Sequence, residues 1–327
     1  MGVTTPTLPR RVLGRFARKG RELGTCCRLW APDRRARAHF RQHPPVFIVG
    51  APRSGTTLLL QVLSAQPHFT RSFEPFRIWE QVFGRRPDDA FPGTPTLAQR
   101  MKLRTQYFSG LEAGRPFLVA KDPRDSLRVA ALRHAFPTAR FIHIVRDGRD
   151  VIASIVKAFE KGGIYHVEPG WAHVRFPGYR AVFDAPHHRK AAQMWRACVE
   201  AVVRDFEQVP PANQATIRYE DLLDRPEQES ARLLQMVSPG YSHEALMAVV
   251  PFISKKVGSN GDQPAGAPAA GGGFAGDWAK SGIAFDAGSG TLSTSVRVGK
   301  WQSELDAQAL KECQAVIGPM MARFNYT

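Results

Sequence analysis

From residue 44 onward, short apolar runs alternate with longer segments in which apolar residues recur at helical spacing. Short apolar runs are typical of buried parallel strands, and the segments between them are typical of helices that cover a sheet. Four runs are predicted to be strands: Val46–Val49, Phe117–Ala120, Phe141–Val145 and Ala215–Tyr219. The pattern therefore predicts a single α/β domain over residues 44–327, with a central parallel β-sheet flanked by helices.

Helices are predicted after three of these strands. Leu58, Leu59, Val62 and Leu63 make an apolar stripe after the first strand, and Val151, Ile152, Ile155 and Val156 make another after the third. After the fourth strand, Glu229–Val237 is a third candidate helix. Two segments lie outside this alternation. Residues 1–43 form a basic N-terminal extension that either packs as a helix or stays loose, and residues 258–290 form a Gly/Pro-rich insertion.

Each predicted strand ends in polar residues. These ends are Gly50–Thr57, Lys121-Asp122-Pro123, Arg146–Asp150 and Tyr219-Glu220-Asp221. Because ligands of open parallel sheets bind outside the carboxyl ends of the strands, we expect the four ends to share one site. Several of the side chains are cationic, so the sequence predicts a site for a multiply charged anion.

The first strand runs into GAPRSGTT, residues 50–57, which is similar to a phosphate-binding loop without its lysine. That lysine reaches the β- and γ-phosphates of nucleoside triphosphates. Backbone N–H groups of a glycine-rich loop and the N-terminus of the following helix can still bind phosphate oxygens. Arg53, Thr56 and Thr57 add a guanidinium group and two hydroxyls, so we predict a P-loop-like nucleotide site for a ligand other than a triphosphate.

Composition adds a strong positive charge. The 327 residues include 45 Lys and Arg against 29 Asp and Glu, a formal net charge of +16, which favours a nucleotide, an acidic polymer or a membrane surface as partner. The four cysteines have neither zinc-site spacing nor a disulfide framework. No stretch reaches about 18 consecutive apolar residues. We therefore expect no metal, no transmembrane segment and a cytoplasmic location, and leave peripheral membrane contact open.

A second cationic motif follows the third predicted strand. Arg146 leaves the strand and Ser154 lies eight residues later, a separation of roughly two helical turns, or ~11 Å. Both side chains can meet one phosphate only if that of Arg146 lies back along the helix. Taken alone, the motif fits a charged helix start equally well.

The loop Arg53-Ser54-Gly55-Thr56-Thr57 and the pair Arg146 and Ser154, in this order, resemble the two nucleotide motifs of the sulfotransferases that use 3′-phosphoadenosine 5′-phosphosulfate (PAPS). In that family the first motif holds the 5′-phosphosulfate and the second holds the 3′-phosphate. The resemblance extends from about residue 44 to the sequence VGKW, residues 298–301. It implies sulfuryl transfer from PAPS to an acceptor hydroxyl or amine, and it accounts for the missing lysine because PAPS needs no bridging Mg²⁺.

Two residues resemble the tyrosylprotein sulfotransferase branch of this family. Glu74 lies about twenty residues after Arg53, where that branch carries its base, and Lys121 begins the matching sequence KDP. The resemblance implies that Glu74 takes the acceptor proton. It also implies that Arg53 and Lys121 stabilise the leaving 3′,5′-bisphosphate.

Softer similarities imply further nucleotide contacts. Tyr219 lies in RYEDLL, which is similar to a family strand near the nucleotide, and Lys300 lies in RVGKWQSEL, which looks like the family's late basic loop. The family's arginine four residues after the motif serine is replaced here by Ala158. A third contact to the 3′-phosphate is therefore missing from the motif.

Two other functions remain open at this point. A P-loop NTPase or small-molecule kinase would bind its metal through a strand-end carboxylate such as Asp122, Asp147 or Asp221, but the missing loop lysine counts against it. A nucleic-acid binder rests on net charge alone, without a basic run interleaved with aromatic residues. The acceptor stays open among carbohydrates, phenols, lipids and peptides, and we expect no nucleic-acid partner.

Overall fold

The computed structural model describes residues 10–91, 93–160, 174–254, 284–286, 291–293 and 298–326. The strands are β1 (Val46–Val49), β2 (Phe69–Phe73), β3 (Phe117–Lys121), β4 (Arg140–Val145), β5 (Gln214–Arg218), β6 (Ala284–Asp286) and β7 (Thr291–Ser293). The helices are α1 (Arg10–Gln42), α2 (Thr56–Ser64), α3 (Phe76–Phe83), α4 (Leu97–Ser109), α5 (Val129–Ala135), α6 (Gly148–Glu160), α7 (His187–Phe206), α8 (Tyr219–Asp224), α9 (Pro226–Val237), α10 (His243–Ser254), α11 (Trp301–Glu304) and α12 (Ala307–Arg323). Strands β6 and β7 pair with each other antiparallel.

The central sheet has five strands in the order β2-β3-β1-β4-β5, and every neighbouring pair is parallel. This confirms the predicted α/β class and the four predicted strands. The fifth, β2, is missing from the prediction because its sequence, FTRSF, is half polar. Among the described strands it pairs only with β3, so its last three residues are partly exposed and need no continuous apolar run.

The strand order indicates where a ligand would bind to the sheet. The chain leaves β1 toward β2 at one edge of the sheet, whereas it leaves β4 toward β5 at the other edge. Because these connections diverge, a crevice forms between the carboxyl ends of β1 and β4, where ligands of such sheets bind. The loop after β1 and the segment after β4 both begin at this crevice.

Side chains of β1 alternate between two cores. Val46 and Ile48 pack in a cluster with residues of α2, α8, α9 and α10, and Phe47 and Val49 pack in a cluster with residues of α1, α4, α5 and α7. All four side chains are fully buried. Since both faces of β1 are covered, its sequence is a continuous apolar run, and the strand forms a rigid base for the loop that follows it.

Residues 10–42 form the helix α1, which resolves the two alternatives for the N-terminal extension. Ala36 and Phe40 are buried in the core, and Asp33 forms a buried bidentate ion pair with Arg104 on α4, with distances of 2.6 and 3.0 Å. The loose alternative is therefore wrong for this part of the chain.

The insertion predicted at residues 258–290 lies outside the described residues, apart from β6. Among the helices of the described ranges, none combines the length and the apolar character that a membrane span needs.

Candidate active site

The loop after β1 turns sharply and leads directly into α2. Gly55 precedes the first helical residue with φ of +93°, and no side chain of the described residues caps the helix. A Cβ atom at Gly55 would lie 2.4 Å from Tyr219 Cδ2, and one at Gly50 would lie 2.4 Å from the carbonyl oxygen of Ile144. Both positions therefore require glycine, and the first N–H groups of α2 lack intrahelical partners.

A hydroxyl group from the next strand end holds the beginning of this loop. Ser126 Oγ accepts a hydrogen bond from the Gly50 N–H at 2.9 Å and donates one to the Gly50 carbonyl at 3.0 Å. Ser126 is fully buried. The path of the backbone from β1 into the loop is therefore fixed by the 3₁₀ turn that follows β3, which comprises residues Pro123–Leu127.

The two sequence motifs meet at Arg53. Its guanidinium Nε donates a hydrogen bond to Ser154 Oγ at 3.0 Å, and its carbonyl oxygen accepts one from Arg146 Nη1 at 3.3 Å. Arg53 has φ of +68°, a left-handed conformation that is uncommon for residues other than glycine. The structure thus brings the loop, the end of β4 and helix α6 together at one arginine.

Arg146 lies between an aromatic ring and a carboxylate. Its guanidinium carbon is 4.5 Å from the centroid of the Tyr219 ring, and its Nη2 donates to Asp150 Oδ2 at 3.3 Å. The Arg146 carbonyl accepts a hydrogen bond from Trp195 Nε1 at 3.2 Å. Burial raises the pKa of Tyr219, although the positive charge of Arg146 opposes the shift. Tyr219 begins α8 instead of ending β5, and its ring covers Gly55.

Glu74 and Lys121 form an ion pair at the adjacent strand ends. Phe73 and Lys121 are partners in the β2–β3 register, and the Glu74 N–H donates to the Lys121 carbonyl at 2.7 Å. Lys121 Nζ lies 2.5 Å from Glu74 Oε1 and 4.6 Å from the centroid of the Phe73 ring. The Lys121 side chain is 3% exposed and that of Glu74 is 20% exposed, so the carboxylate is the accessible member of the pair.

Two further carboxyl groups follow Lys121 in the chain, and their pKa values are shifted in opposite directions. Burial pushes the pKa of Asp122 upward, but the bidentate contact with Arg124, at 2.7 and 2.8 Å, holds it below its ordinary value. Burial, together with the negative charge of Asp122, raises the pKa of Asp125 to about 7. Asp125 therefore holds a proton up to neutral pH, whereas the Asp122 carboxylate is bound by Arg124.

The late basic loop reaches the same region through Asp150. Its carboxylate accepts hydrogen bonds from the N–H groups of Gly299, at 2.9 Å, and of Trp301, at 3.2 Å. Lys300 lies between these two residues, so its backbone is held beside Arg146. The backbone of Lys300 therefore lies next to the second motif.

The predicted site residues fall into two adjoining groups. The loop residues 53–57 with Arg146, Ser154, Tyr219 and Lys300 form the first group, and Glu74 with Lys121 forms the second. Sequence reasoning missed Ser126 and Asp150. Nothing in the sequence marks Ser126, but Asp150 follows Arg146 by four residues at a helix start, a spacing that allows an ion pair.

The sequence of this chain is similar to those of known sulfotransferases. The chain is 26% identical to protein-tyrosine sulfotransferase A of Caenorhabditis elegans over 219 residues, which cover 63% of this chain and 53% of that protein. It is also 26% identical to human protein-tyrosine sulfotransferase 1 over 223 residues, which cover 64% and 55%. The chain thus spans about half the length of the curated relatives that it matches.

A comparison with solved structures aligns the sulfotransferase domain from the curacin biosynthetic pathway, with a TM-score of 0.48 and 19% identity, over 85% of this chain and 98% of that domain. Residues 44–239 match the model of the sulfotransferase family, and this range begins just before β1 and ends just after α9. It includes both nucleotide motifs and the Glu74–Lys121 pair. Since the match extends over more than half of its length, the chain belongs to the sulfotransferase family.

Proposed function

We propose that this chain transfers a sulfuryl group from PAPS to an acceptor hydroxyl. The observation that carries the proposal is the contact between the two nucleotide motifs, in which Arg53 donates to Ser154 at 3.0 Å and accepts from Arg146. A ligand that needs both motifs must carry anionic groups at two positions. A 3′-phosphorylated adenosine 5′-phosphosulfate has this arrangement.

The residues at the loop fit the 5′-phosphate of such a ligand. Helix α2 begins without a side-chain cap, and the glycines at positions 50 and 55 leave no Cβ atom over the loop. The buried hydroxyl of Ser54 has no hydrogen-bond partner among the described residues, and a phosphate oxygen would satisfy it. Thr56 and Thr57 begin the helix and bring two further hydroxyls, so the loop would hold the 5′-phosphate through N–H and O–H donors.

The donors beside Arg53 would hold the 3′-phosphate. Arg146 and Ser154 adjoin Arg53, and Tyr219 and Lys300 adjoin Arg146. Arginine suits this role because its planar guanidinium group presents several donors to a phosphate at once.

PAPS, when bound, supplies an activated sulfuryl group, and its 3′,5′-bisphosphate leaves as the acceptor oxygen bonds to sulfur. Glu74 Oε accepts the proton of the acceptor hydroxyl. Protonation removes the negative charge that Lys121 Nζ faces at 2.5 Å. The ammonium group of Lys121 then stabilises the charge that grows on the leaving bisphosphate, together with Arg53. The ion pair thus couples proton uptake to charge stabilisation.

A P-loop NTPase is less well supported, because it needs an open strand-end carboxylate for its metal. Each of the three candidates is paired with an arginine: Asp122 with Arg124, Asp147 with Arg149, and Asp221 with Arg225.

Both curated relatives described above are named for protein tyrosine, and this supports a hydroxyl acceptor for this chain. The cytoplasmic location stays a prediction, which the four free thiols, Cys26, Cys27, Cys198 and Cys313, support. Cell fractionation would test the location.

Titration calorimetry with 3′,5′-ADP, 5′-AMP, ATP and duplex DNA, each with and without magnesium, tests the proposal. We expect 3′,5′-ADP to bind most tightly and without magnesium, because both motifs are then engaged. Binding should weaken as salt is raised, since the contacts are between charges. Equal affinities for 3′,5′-ADP and 5′-AMP would refute a 3′-phosphate site, and magnesium-dependent preference for ATP would favour the NTPase.

A further inference from the structure

A fully buried carboxylate, Asp150, contacts both parts of the proposed 3′-phosphate site. We propose that Asp150 is a positioning residue that holds Arg146 and the backbone of Lys300 in the geometry that selects a 3′-phosphate. This inference rests on the proposed function and deepens it. The motif, by contrast, consists of Arg146 and Ser154 and treats the residues between them as a spacer.

The two oxygens of Asp150 have three donors. Oδ2 accepts from Arg146 Nη2 at 3.3 Å and from the Gly299 N–H at 2.9 Å, and Oδ1 accepts from the Trp301 N–H at 3.2 Å. The two N–H groups flank Lys300, so the carboxylate fixes the peptide on each side of that residue. Gly299 has φ of +81°, which lets the chain turn there.

Electrostatics alone would disfavour a carboxylate in this place. A negative charge beside the guanidinium group of Arg146 offsets part of the attraction that Arg146 exerts on a phosphate. A buried carboxylate also has a large desolvation cost, which good hydrogen bonds must offset. The three donors satisfy both oxygens, so the benefit of Asp150 to the site lies in geometry rather than in charge.

Two other contacts also join α6 to this part of the chain, and a comparison with them shows why Asp150 is the most important contact. The Arg149 guanidinium carbon lies 4.3 Å from the centroid of the Trp301 ring, and Lys157 Nζ lies 3.0 Å from Glu304 Oε1. The Lys157 side chain is 55% exposed, so that pair contributes little. Asp150 differs because it is buried and contacts Arg146 as well as the loop.

The test is calorimetry of 3′,5′-ADP and 5′-AMP with the full chain and its Asp150→Asn variant. Asn places an amide NH₂ where one carboxylate oxygen accepts, so it loses at least one of the three bonds. We expect the affinity for 3′,5′-ADP to fall about ten-fold or more while that for 5′-AMP stays within about two-fold. A purely electrostatic role predicts the opposite, because removal of a negative charge would tighten binding of 3′,5′-ADP.

Asp147→Asn is the matched control. It removes the same charge beside the same helix start, but Asp147 pairs with Arg149 and makes no contact with the Gly299 or Trp301 N–H groups in the described structure. We expect the control to keep the preference for 3′,5′-ADP. An equal loss in both variants would overturn the inference, because it would show a general effect of charge or stability at the helix start.

A double-mutant cycle with Lys300→Met tests whether Asp150 acts through Lys300. If it does, the loss in Asp150→Asn,Lys300→Met is clearly smaller than the two single losses combined. Fully additive losses would overturn this part of the inference.

If Asp150→Asn does not fold, Asp150→Glu displaces the carboxylate by one methylene at constant charge, and wild-type preference in that variant would overturn the inference. A wild-type chain without any preference would instead refute the proposed function.

Discussion

Glu74→Gln separates the proposed base from the nucleotide site. The substitution keeps the shape of the side chain, and Gln can still accept a hydrogen bond from Lys121 Nζ, but it cannot take a proton from an acceptor. We expect sulfuryl transfer to fall by ~10²–10⁴, the usual contribution of a positioned general base. The affinity for 3′,5′-ADP should stay within about three-fold, because the loop and the second motif are untouched.

The same substitution should lower stability by a modest amount. Lys121 is 3% exposed, and its ammonium group would lose its anionic partner at 2.5 Å. The remaining neutral hydrogen bond and the Phe73 ring, 4.6 Å away, offset part of this loss. We estimate a decrease of about 1–3 kcal/mol in the free energy of unfolding.

The assay follows release of 3′,5′-ADP from PAPS, either by slow hydrolysis or with a panel of phenols and sugars as acceptors. Urea unfolding of each variant reports stability. Lys121→Met is the partner variant: it also removes the pair, so combining it with Glu74→Gln should restore part of the stability without restoring transfer. Arg53→Ala should reduce both binding and transfer, because the same guanidinium group belongs to the loop and donates to Ser154.

Undiminished transfer by Glu74→Gln would refute the assignment of the base. Asp122 is a poor replacement, because it is fully buried and bound by Arg124 at both oxygens. The proton would then go to a group outside the described pair. The nucleotide assignment would survive this result, since it rests on different contacts.

Three further substitutions test other parts of the structure. Arg146→Ala should lower the preference for 3′,5′-ADP over 5′-AMP about ten- to a hundred-fold in calorimetry, because a charged hydrogen bond to phosphate is lost; an unchanged ratio contradicts the site. Gly55→Ala should lower stability in urea by about 1–3 kcal/mol more than Gly114→Ala, because both have positive φ but only Gly55 lies against Tyr219; equal losses contradict the close approach. Asp125→Asn should gain on the order of 2 kcal/mol of stability relative to wild type between pH 5 and pH 8. The Asp125 carboxyl of the folded wild type keeps a proton up to about pH 7, whereas in the unfolded chain it releases that proton near its ordinary pKa of 3.8, so the stability of the wild type falls over this window. A difference that does not change with pH contradicts the raised pKa.

The central strands could be predicted from the sequence because both of their faces are buried. In β1, β3 and β4 every or nearly every side chain is buried, and the sequence is therefore largely apolar, with His143 as the polar residue inside β4 and Lys121 at the end of β3. The edge strand β2 has no such requirement, and its Thr and Arg residues conceal it. Helix α1 was difficult for a related reason, since among its residues 22–42, whose burial the structure describes, the apolar side chains that reach the core are those of Ala36 and Phe40.

The candidate site was predictable wherever one residue type performs a local task. Gly55 is required by a positive φ and by the ring of Tyr219, and the loop around it is recognisable from sequence alone. Ser126 and Asp150 act across long separations, on Gly50 and on the loop at Gly299. No pattern in a single sequence shows which distant residues are in contact, so these two residues could be identified only from the fold.

The net charge of the chain says little about the charge at the candidate site. Residues 1–42 contain eleven Lys and Arg but only two acidic residues, so more than half of the net charge of +16 belongs to α1 and the residues before it. The proposed nucleotide site is closer to charge balance, because Asp150 and Glu74 lie beside Arg146 and Lys121. Under the proposed function, selectivity for a 3′-phosphate would come from the positions of Arg53, Arg146 and Lys300 rather than from the number of cations in the chain. This is why removal of the buried Asp150 carboxylate is expected to weaken the binding of a phosphate.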